Sequence, residues 1–119
     1  MGCEKISNDD NGTLYGSWTV REYSMNSNIR TYLTSIVKEP VDESIVVINN
    51  FYNLGQDFQV YCRLKDSTLT IFQTNGQIPE YTFTGTGIYH KSARKVSWQY
   101  VVTSNSGSTE YVQADYVKN

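Results

Sequence analysis

Apolar side chains fall on every second position through most of this chain, and that alternation constrains its fold more than any other feature. In Ala93–Thr103, Val96, Trp98, Tyr100 and Val102 share one parity. In Asp57–Leu64, Phe58, Val60, Cys62 and Leu64 share one parity, and Gln59, Tyr61 and Arg63 take the other. Successive side chains of an extended strand point to opposite faces, so each run reads as a strand with one face on a core. Gly16–Ser24, Ser67–Phe72, Tyr81–Tyr89 and Thr109–Val117 read as further strands. Ser44–Phe51 starts apolar on both parities, with Ile45, Val46, Val47 and Ile48, as a strand covered on both faces would.

The breaks between these runs carry turn chemistry. Lys65-Asp66-Ser67 is a tight connection, Asn75-Gly76 is a strong turn dipeptide, and Asn105-Ser106-Gly107 joins the last two runs. Tyr52-Asn53-Leu54-Gly55 turns the chain after Phe51, and Pro40 and Pro79 sit between runs, not inside them. Asn28–Glu39 is ambiguous. Ile29, Tyr32, Leu33, Ile36 and Val37 follow helical spacing, yet the segment is rich in β-branched residues that favour extended chain. It reads as a short helix near 29–38 or an irregular strand, with the spacing favouring the helix. The total is seven or eight antiparallel strands with short connections, an all-β barrel or a β-sandwich.

A length of 119 residues fits one domain, taken as 14–119 behind a polar leader at 1–13. A chain of about this size buries roughly two thirds of its unfolded surface, enough for a core without metal or disulfides. Hydrophobic residues at 39% argue against disorder, and ten Tyr with only 18% charged residues suit strands and turns better than helices. No apolar stretch approaches the roughly 20 residues of a membrane-spanning helix. A net charge of −2 without a basic block removes the electrostatic basis for nucleic-acid binding.

Gly16-Ser17-Trp18, opening the first strand, resembles the G-x-W motif of lipocalins and related calycins. The resemblance implies an up-and-down antiparallel β-barrel, with Gly16 allowing tight entry of the backbone and Trp18 plugging the closed end. In lipocalins an Arg near the last strand packs across that Trp; here the last strand offers Lys118, and Arg94-Lys95 begin the strand before it. The Thr-Asp-Tyr turn of the family is absent, and the length is nearer the fatty-acid-binding and avidin-like calycins. On a barrel, Phe58, Tyr81, Phe83, Trp98 and Tyr100 either line an apolar ligand pocket or fill the core, with packing favoured. The stretches Ile48–Gly55 and Thr84-Gly85-Thr86-Gly87 resemble small Bacteroides-type lipoproteins of unassigned function.

The leader supports that likeness. Cys3 directly after Gly2 resembles the end of a bacterial lipoprotein signal, which implies acylation at Cys3, export, and tethering at the cell envelope or outer surface. Three readings compete. One is a plain surface thiol. Another is a disulfide to Cys62, which joins a leader to a strand interior in poor geometry. The third is myristoylation, for which the hydroxyl of Ser7 comes one place late. Cys62 itself shares parity with core residues and reads as a small buried hydrophobe. Asp9-Asp10-Asn11-Gly12 lacks the first and closing ligands of a calcium loop. Asn11-Gly12-Thr13 is a glycosylation sequon, and Asp66-Ser67-Thr68 resembles a Bacteroides-type O-glycosylation acceptor but suits a turn equally.

Catalytic chemistry finds little purchase. His90 is the single histidine and sits at a strand end, and the carboxylates Glu22, Asp57, Glu80, Glu110 and Asp115 select no pair. Glu110 and Asp115 have opposite parity and face opposite sides. One His and two distant Cys cannot supply a structural zinc set, and no nucleophile elbow or phosphate loop is present. Gly85-Thr86-Gly87 opens no helix. The expectation is a monomer that is not an enzyme and takes no cofactor or metal. It would bind a small apolar ligand or a surface partner and touch a membrane only through Cys3. Tyr23, Tyr61, Tyr89 and Tyr111 are candidates for an exposed aromatic surface for glycan or protein contact, and ordinary cross-strand packing explains them equally. The alternatives are a proteinase inhibitor acting through its leader and a β-sandwich module for glycan binding or adhesion.

Overall fold

The computed structural model describes residues 14–24, 29–55, 57–75 and 81–119. The leader with Cys3, Gly76 of the expected turn, Pro79 and Glu80 lie outside them.

Eight strands follow in chain order: β1 (Gly16–Ser24), β2 (Ile29–Lys38), β3 (Ile45–Asn49), β4 (Gln59–Lys65), β5 (Thr68–Asn75), β6 (Tyr81–His90), β7 (Lys95–Ser104) and β8 (Thr109–Lys118). Each pairs antiparallel with the next, and β8 closes on β1 from Trp18↔Lys118 to Ser24↔Val112. The result is a closed up-and-down barrel. Closure removes the sandwich alternative, since two separate sheets would leave β1 and β8 as edges. The inward parity is the one the alternation marks: Trp18, Val20 and Glu22 on β1, Val60 and Cys62 on β4, Val96, Trp98, Tyr100 and Val102 on β7 are all buried. β3 buries Val46, Val47 and Ile48 on both faces, as its apolar run anticipates.

The segment expected as a short helix near 29–38 is instead strand β2. It pairs with β1 over its length, from Gly16↔Ile36 to Tyr23↔Ile29. Tyr32, Thr34 and Ile36 face inward, while Leu33 and Val37 stand outside at 58% and 40% exposure. The helical spacing arises because apolar residues stand on both faces of β2, Tyr32 and Ile36 inside and Ile29, Leu33 and Val37 outside. Ile29, Thr31, Thr34, Ile36 and Val37 are β-branched, and their stiff χ1 favours the strand.

Among the described residues, helical backbone is confined to a 3-10 turn at Phe51–Asn53 between β3 and β4. Asn50, Tyr52 and Asn53 take left-handed backbone angles, φ 57°, 58° and 58°. Asn tolerates that region better than most residues. The Asn50 side chain holds the turn: its Nδ2 donates to the Leu33 carbonyl at 2.7 Å and its Oδ1 accepts from the Gly55 amide at 2.7 Å. Phe51, fully buried, is thereby driven into the barrel.

Two local features shape the wall. Between β4 and β5 the register shifts, with Tyr61 opposite Gln73 but Cys62 opposite Ile71, so Phe72 is an extra residue. That bulge breaks the alternation where the sequence run ends, and β5 continues beyond it to Asn75. On β6, Gly85 lies opposite Tyr100 and Gly87 opposite Trp98. A Cβ at Gly85 would meet the Tyr100 Cβ at 2.4 Å, and one at Gly87 the Trp98 ring at 2.7 Å. Only glycine lets these two large rings lie against the neighbouring strand.

Candidate functional site

Three regions merit a functional reading: the two ends of the barrel with its filling, and one groove on its outer wall.

At the closed end, Trp18 is buried and its Nε1 donates to the Leu14 carbonyl at 2.9 Å. Lys118 Nζ stands 5.4 Å from the Trp18 ring centroid and donates to the Tyr15 carbonyl at 2.7 Å. Lys118, rather than Arg94 or Lys95, thus supplies the cation across the tryptophan. Gly16 enters with φ 129°, a left-handed conformation that disfavours any side chain, and a Cβ there would also crowd Lys118 Cε at 3.2 Å. Tyr89 packs edge-on to Trp18 at 6.4 Å, so it belongs to the core and not to an exposed aromatic surface.

The middle of the barrel is filled. Phe51 lies 5.4 Å from Phe83, 5.8 Å from Trp98 and 4.8 Å from Tyr100, ring centre to ring centre. Phe58 packs on Phe83 at 5.5 Å. Four of the five expected lining residues, Phe58, Phe83, Trp98 and Tyr100, are therefore buried against one another and against Phe51. Tyr81 is half-buried nearer the mouth, 6.0 Å from Tyr52. Cys62 is a buried free thiol whose pKa burial pushes up.

The other end is polar. Glu22 is only 3% exposed, and its Oε2 accepts from the hydroxyls of Tyr32 at 2.6 Å and Tyr100 at 2.5 Å. Its Oε1 accepts from Arg30 Nε at 2.9 Å, and Arg30 Nη2 also donates to the Tyr52 carbonyl at 3.0 Å. The Arg30 guanidinium lies over the Tyr52 ring at 4.5 Å, and the Tyr52 hydroxyl donates to Glu110. Burial and then the Glu22 carboxylate hold the Tyr32 hydroxyl well above its ordinary pKa. Burial alone would lower the pKa of Arg30, but the hydrogen bond and charge of Glu22 reverse the direction and raise it. Glu22, Ser24, Arg30, Tyr52 and Glu110 enclose about 130 Å³. That space is below the range of small-molecule sites, roughly 300–1,000 Å³. The buried carboxylate is matched by a cation and two hydroxyl donors, which is how an interior charge is made tolerable.

The outer wall carries a larger hollow. A groove of about 690 Å³ is lined by Tyr23 and Ser24 of β1, Thr84 and Gly85 of β6, Gln99, Tyr100 and Val101 of β7, and Tyr111, Val112 and Gln113 of β8. By parity, Tyr23, Thr84, Gln99, Val101, Tyr111 and Gln113 project outward, and the inward residues contribute floor through their backbone. The register sets Tyr23 beside Gln113, Gln113 beside Gln99, and Gln99 beside Thr86. A second hollow of about 340 Å³ shares Tyr23, Gln99 and Gln113 and continues past Thr86, Ile88 and Ser97 to Asp115. Asp115 is paired with Lys95 at 3.5 Å.

Of the four tyrosines proposed for an exposed surface, the structure brings Tyr23 and Tyr111 to this groove, leaves Tyr61 on the opposite wall and buries Tyr89. His90 is exposed at the end of β6. Glu110 and Asp115 face opposite sides, as their parity requires. Among the described residues no three His, Cys, Asp or Glu side chains converge as a metal site would need. Sequence reasoning did not single out Arg30, Tyr32, Ser24, Gln99 or Gln113. Arg30 was legible in principle: antiparallel pairing of β1 with β2 sets it opposite Glu22.

No protein-family model and no curated protein sequence matches the chain. A solved structure, described as a redesigned beta barrel, superposes on it with a TM-score of 0.58 at 10% sequence identity. The match covers 91% of this chain and 93% of that one. At that identity the likeness shows the fold: an eight-stranded antiparallel barrel.

Proposed function

We propose that this protein is a non-catalytic binding module that meets its ligand on the outer wall of a solid barrel. One observation carries the reading. The interior space that a lipocalin-like carrier would offer an apolar ligand is filled by Phe51, Phe58, Phe83, Trp98 and Tyr100, while an uncharged groove of about 690 Å³ lies open on β1 and β6–β8. Ligand sites are concave and combine apolar surface with a few oriented polar groups, and the groove has both. The Gly16 and Trp18 pair with Lys118 across the ring supports kinship with lipocalin-like barrels, reworked from carrier to surface binder. Such a module would be exported and held at a bacterial envelope by acylation of Cys3.

The test is ligand mapping by NMR on the isotope-labelled chain. Ligands that bind should shift resonances of Gln99, Val101, Tyr111 and Gln113, and fatty acids or apolar dyes should leave both the melting temperature and the core resonances unchanged. A fatty acid that raises the melting temperature and moves Phe51, Phe83 and Tyr100 overturns the reading. The anchor is tested separately, by expressing the full-length precursor with a fatty-acid probe: labelling that Cys3→Ala abolishes supports it, and an unlabelled product ends it.

A further inference from the structure

The composition of the groove is selective about what it can hold, and this inference rests on the groove being the binding face. None of its ten lining residues carries a charge. Arg21, next along β1, lies over the Tyr23 ring at 5.7 Å and is not among them. The groove instead presents planar groups. Tyr111 is 61% exposed, an unusual placement for so large an aromatic when nine other aromatic residues among the described ones are buried in the core. Gln99 and Gln113 are register neighbours on β7 and β8, both exposed. Neither carboxamide is hydrogen-bonded to any described residue. Each therefore offers two N–H donors and a carbonyl acceptor to the groove. The hydroxyl of Thr84 completes the polar set, and Val101 supplies one aliphatic contact.

These features narrow the ligand by elimination. A nucleic acid or a sulfated or uronate polymer needs cations in the lining, and there are none. A lipid would strip water from two carboxamides and give nothing back. A protein partner prefers an aromatic and aliphatic centre with arginine, and here two carboxamides share the two central strands with Tyr111 and Val101 and no arginine is in the lining. A neutral sugar chain fits each count. Its C–H faces carry slight positive charge and stack on the electron-rich ring of Tyr111 and on the face of Tyr23 that Arg21 leaves open. Its hydroxyls both donate and accept, as the carboxamides of Gln99 and Gln113 do. We infer that the groove formed by Tyr23, Tyr111, Gln99, Gln113 and Thr84 is a binding site for a neutral oligosaccharide.

The experiment screens the intact chain against short neutral hexose and N-acetylhexosamine oligomers, matching uronate oligomers and uncharged peptides, with calorimetry and NMR mapping on any binder. Binding by neutral oligomers is expected, weakened by about tenfold or more in Tyr111→Ala and in Gln113→Ala. Both side chains are exposed, so melting temperatures should be unchanged, and Gln99→Ala provides a third variant should either fail to fold. Equal or tighter binding of the uronates, unaltered affinity in the variants, or no sugar binding at all overturns the inference. A peptide that shifts the groove resonances overturns the sugar while leaving the groove as the binding face. A binder that shifts resonances only elsewhere overturns both.

Discussion

The two ends of the barrel solve one problem with opposite chemistry. Around Trp18 the interior is dry: an indole, the Leu14 side chain and the Tyr89 ring close it, and a cation, Lys118, lies across the indole at the rim. Around Glu22 it is ionic: a carboxylate is sunk below the mouth and bound by Arg30, Tyr32 and Tyr100. The first kind of closure is non-directional and scales with area removed from water. The second is directional, and every member depends on the others being in place. The dry end should therefore lose stability through missing volume, and the ionic end through missing partners.

The largest expected effect is at the dry end. Trp18→Ala leaves a hole that neighbouring strands cannot close and should cost about 3–5 kcal/mol in denaturant unfolding. A loss below about 1 kcal/mol would mean that the end is not closed by that ring. At the ionic end, Glu22→Leu removes the acceptor of two buried hydroxyls and should cost about 1–3 kcal/mol, with Arg30 escaping to solvent. If that variant is more stable than the parent, the polar cluster exists for something other than folding.

Alkali should attack the ionic end first. Burial holds Tyr32, Tyr100 and Tyr116 above the ordinary tyrosine value near 10, so in the folded state all three stay protonated where the unfolded chain ionises. Their contribution is whole below pH 10 and falls away above it, by about 1.4 kcal/mol per pH unit for each tyrosine. Ultraviolet titration should show these phenols ionising only together with unfolding; reversible ionisation in the folded protein would contradict their burial.

The finest discrimination comes from two tyrosines on neighbouring strands. The Tyr100 hydroxyl donates to Glu22, whereas the buried Tyr116 hydroxyl has no partner among the described residues. Tyr100→Phe should cost about 1 kcal/mol and Tyr116→Phe should be neutral or gain a few tenths, because an unmet hydroxyl is itself a cost. Equal losses in the two would erase the distinction between a matched and an unmatched buried hydroxyl.

Much of the barrel was legible because a closed sheet with a filled interior must turn alternate side chains inward, and Val96, Trp98, Tyr100 and Val102 announce that directly. Gly16 and Trp18 stand out as a pair through the resemblance of Gly16-Ser17-Trp18 to the lipocalin G-x-W motif. β2 was misread because apolar residues stand on both its faces, with Leu33 and Val37 exposed. The filling of the interior hid for a different reason. Phe51, read as the end of the Ser44–Phe51 strand, lies in a turn beyond β3, and the left-handed backbone at Asn50 and Tyr52 aims it inward. Gln99 and Gln113 were invisible as a site because outward glutamines are ordinary; their adjacency is a product of register between β7 and β8.

Because a loop residue supplies the plug, capacity in this fold is detachable from its frame. Phe51→Ala leaves all eight strands unaltered in sequence and vacates the space beside Phe83, Trp98 and Tyr100. Xenon or a small aromatic should then enter, read as a rise in melting temperature that the parent does not show. A solid peg and a hollow vessel would in that case stand one codon apart, and the loop between β3 and β4 would be where such a lineage changes trade.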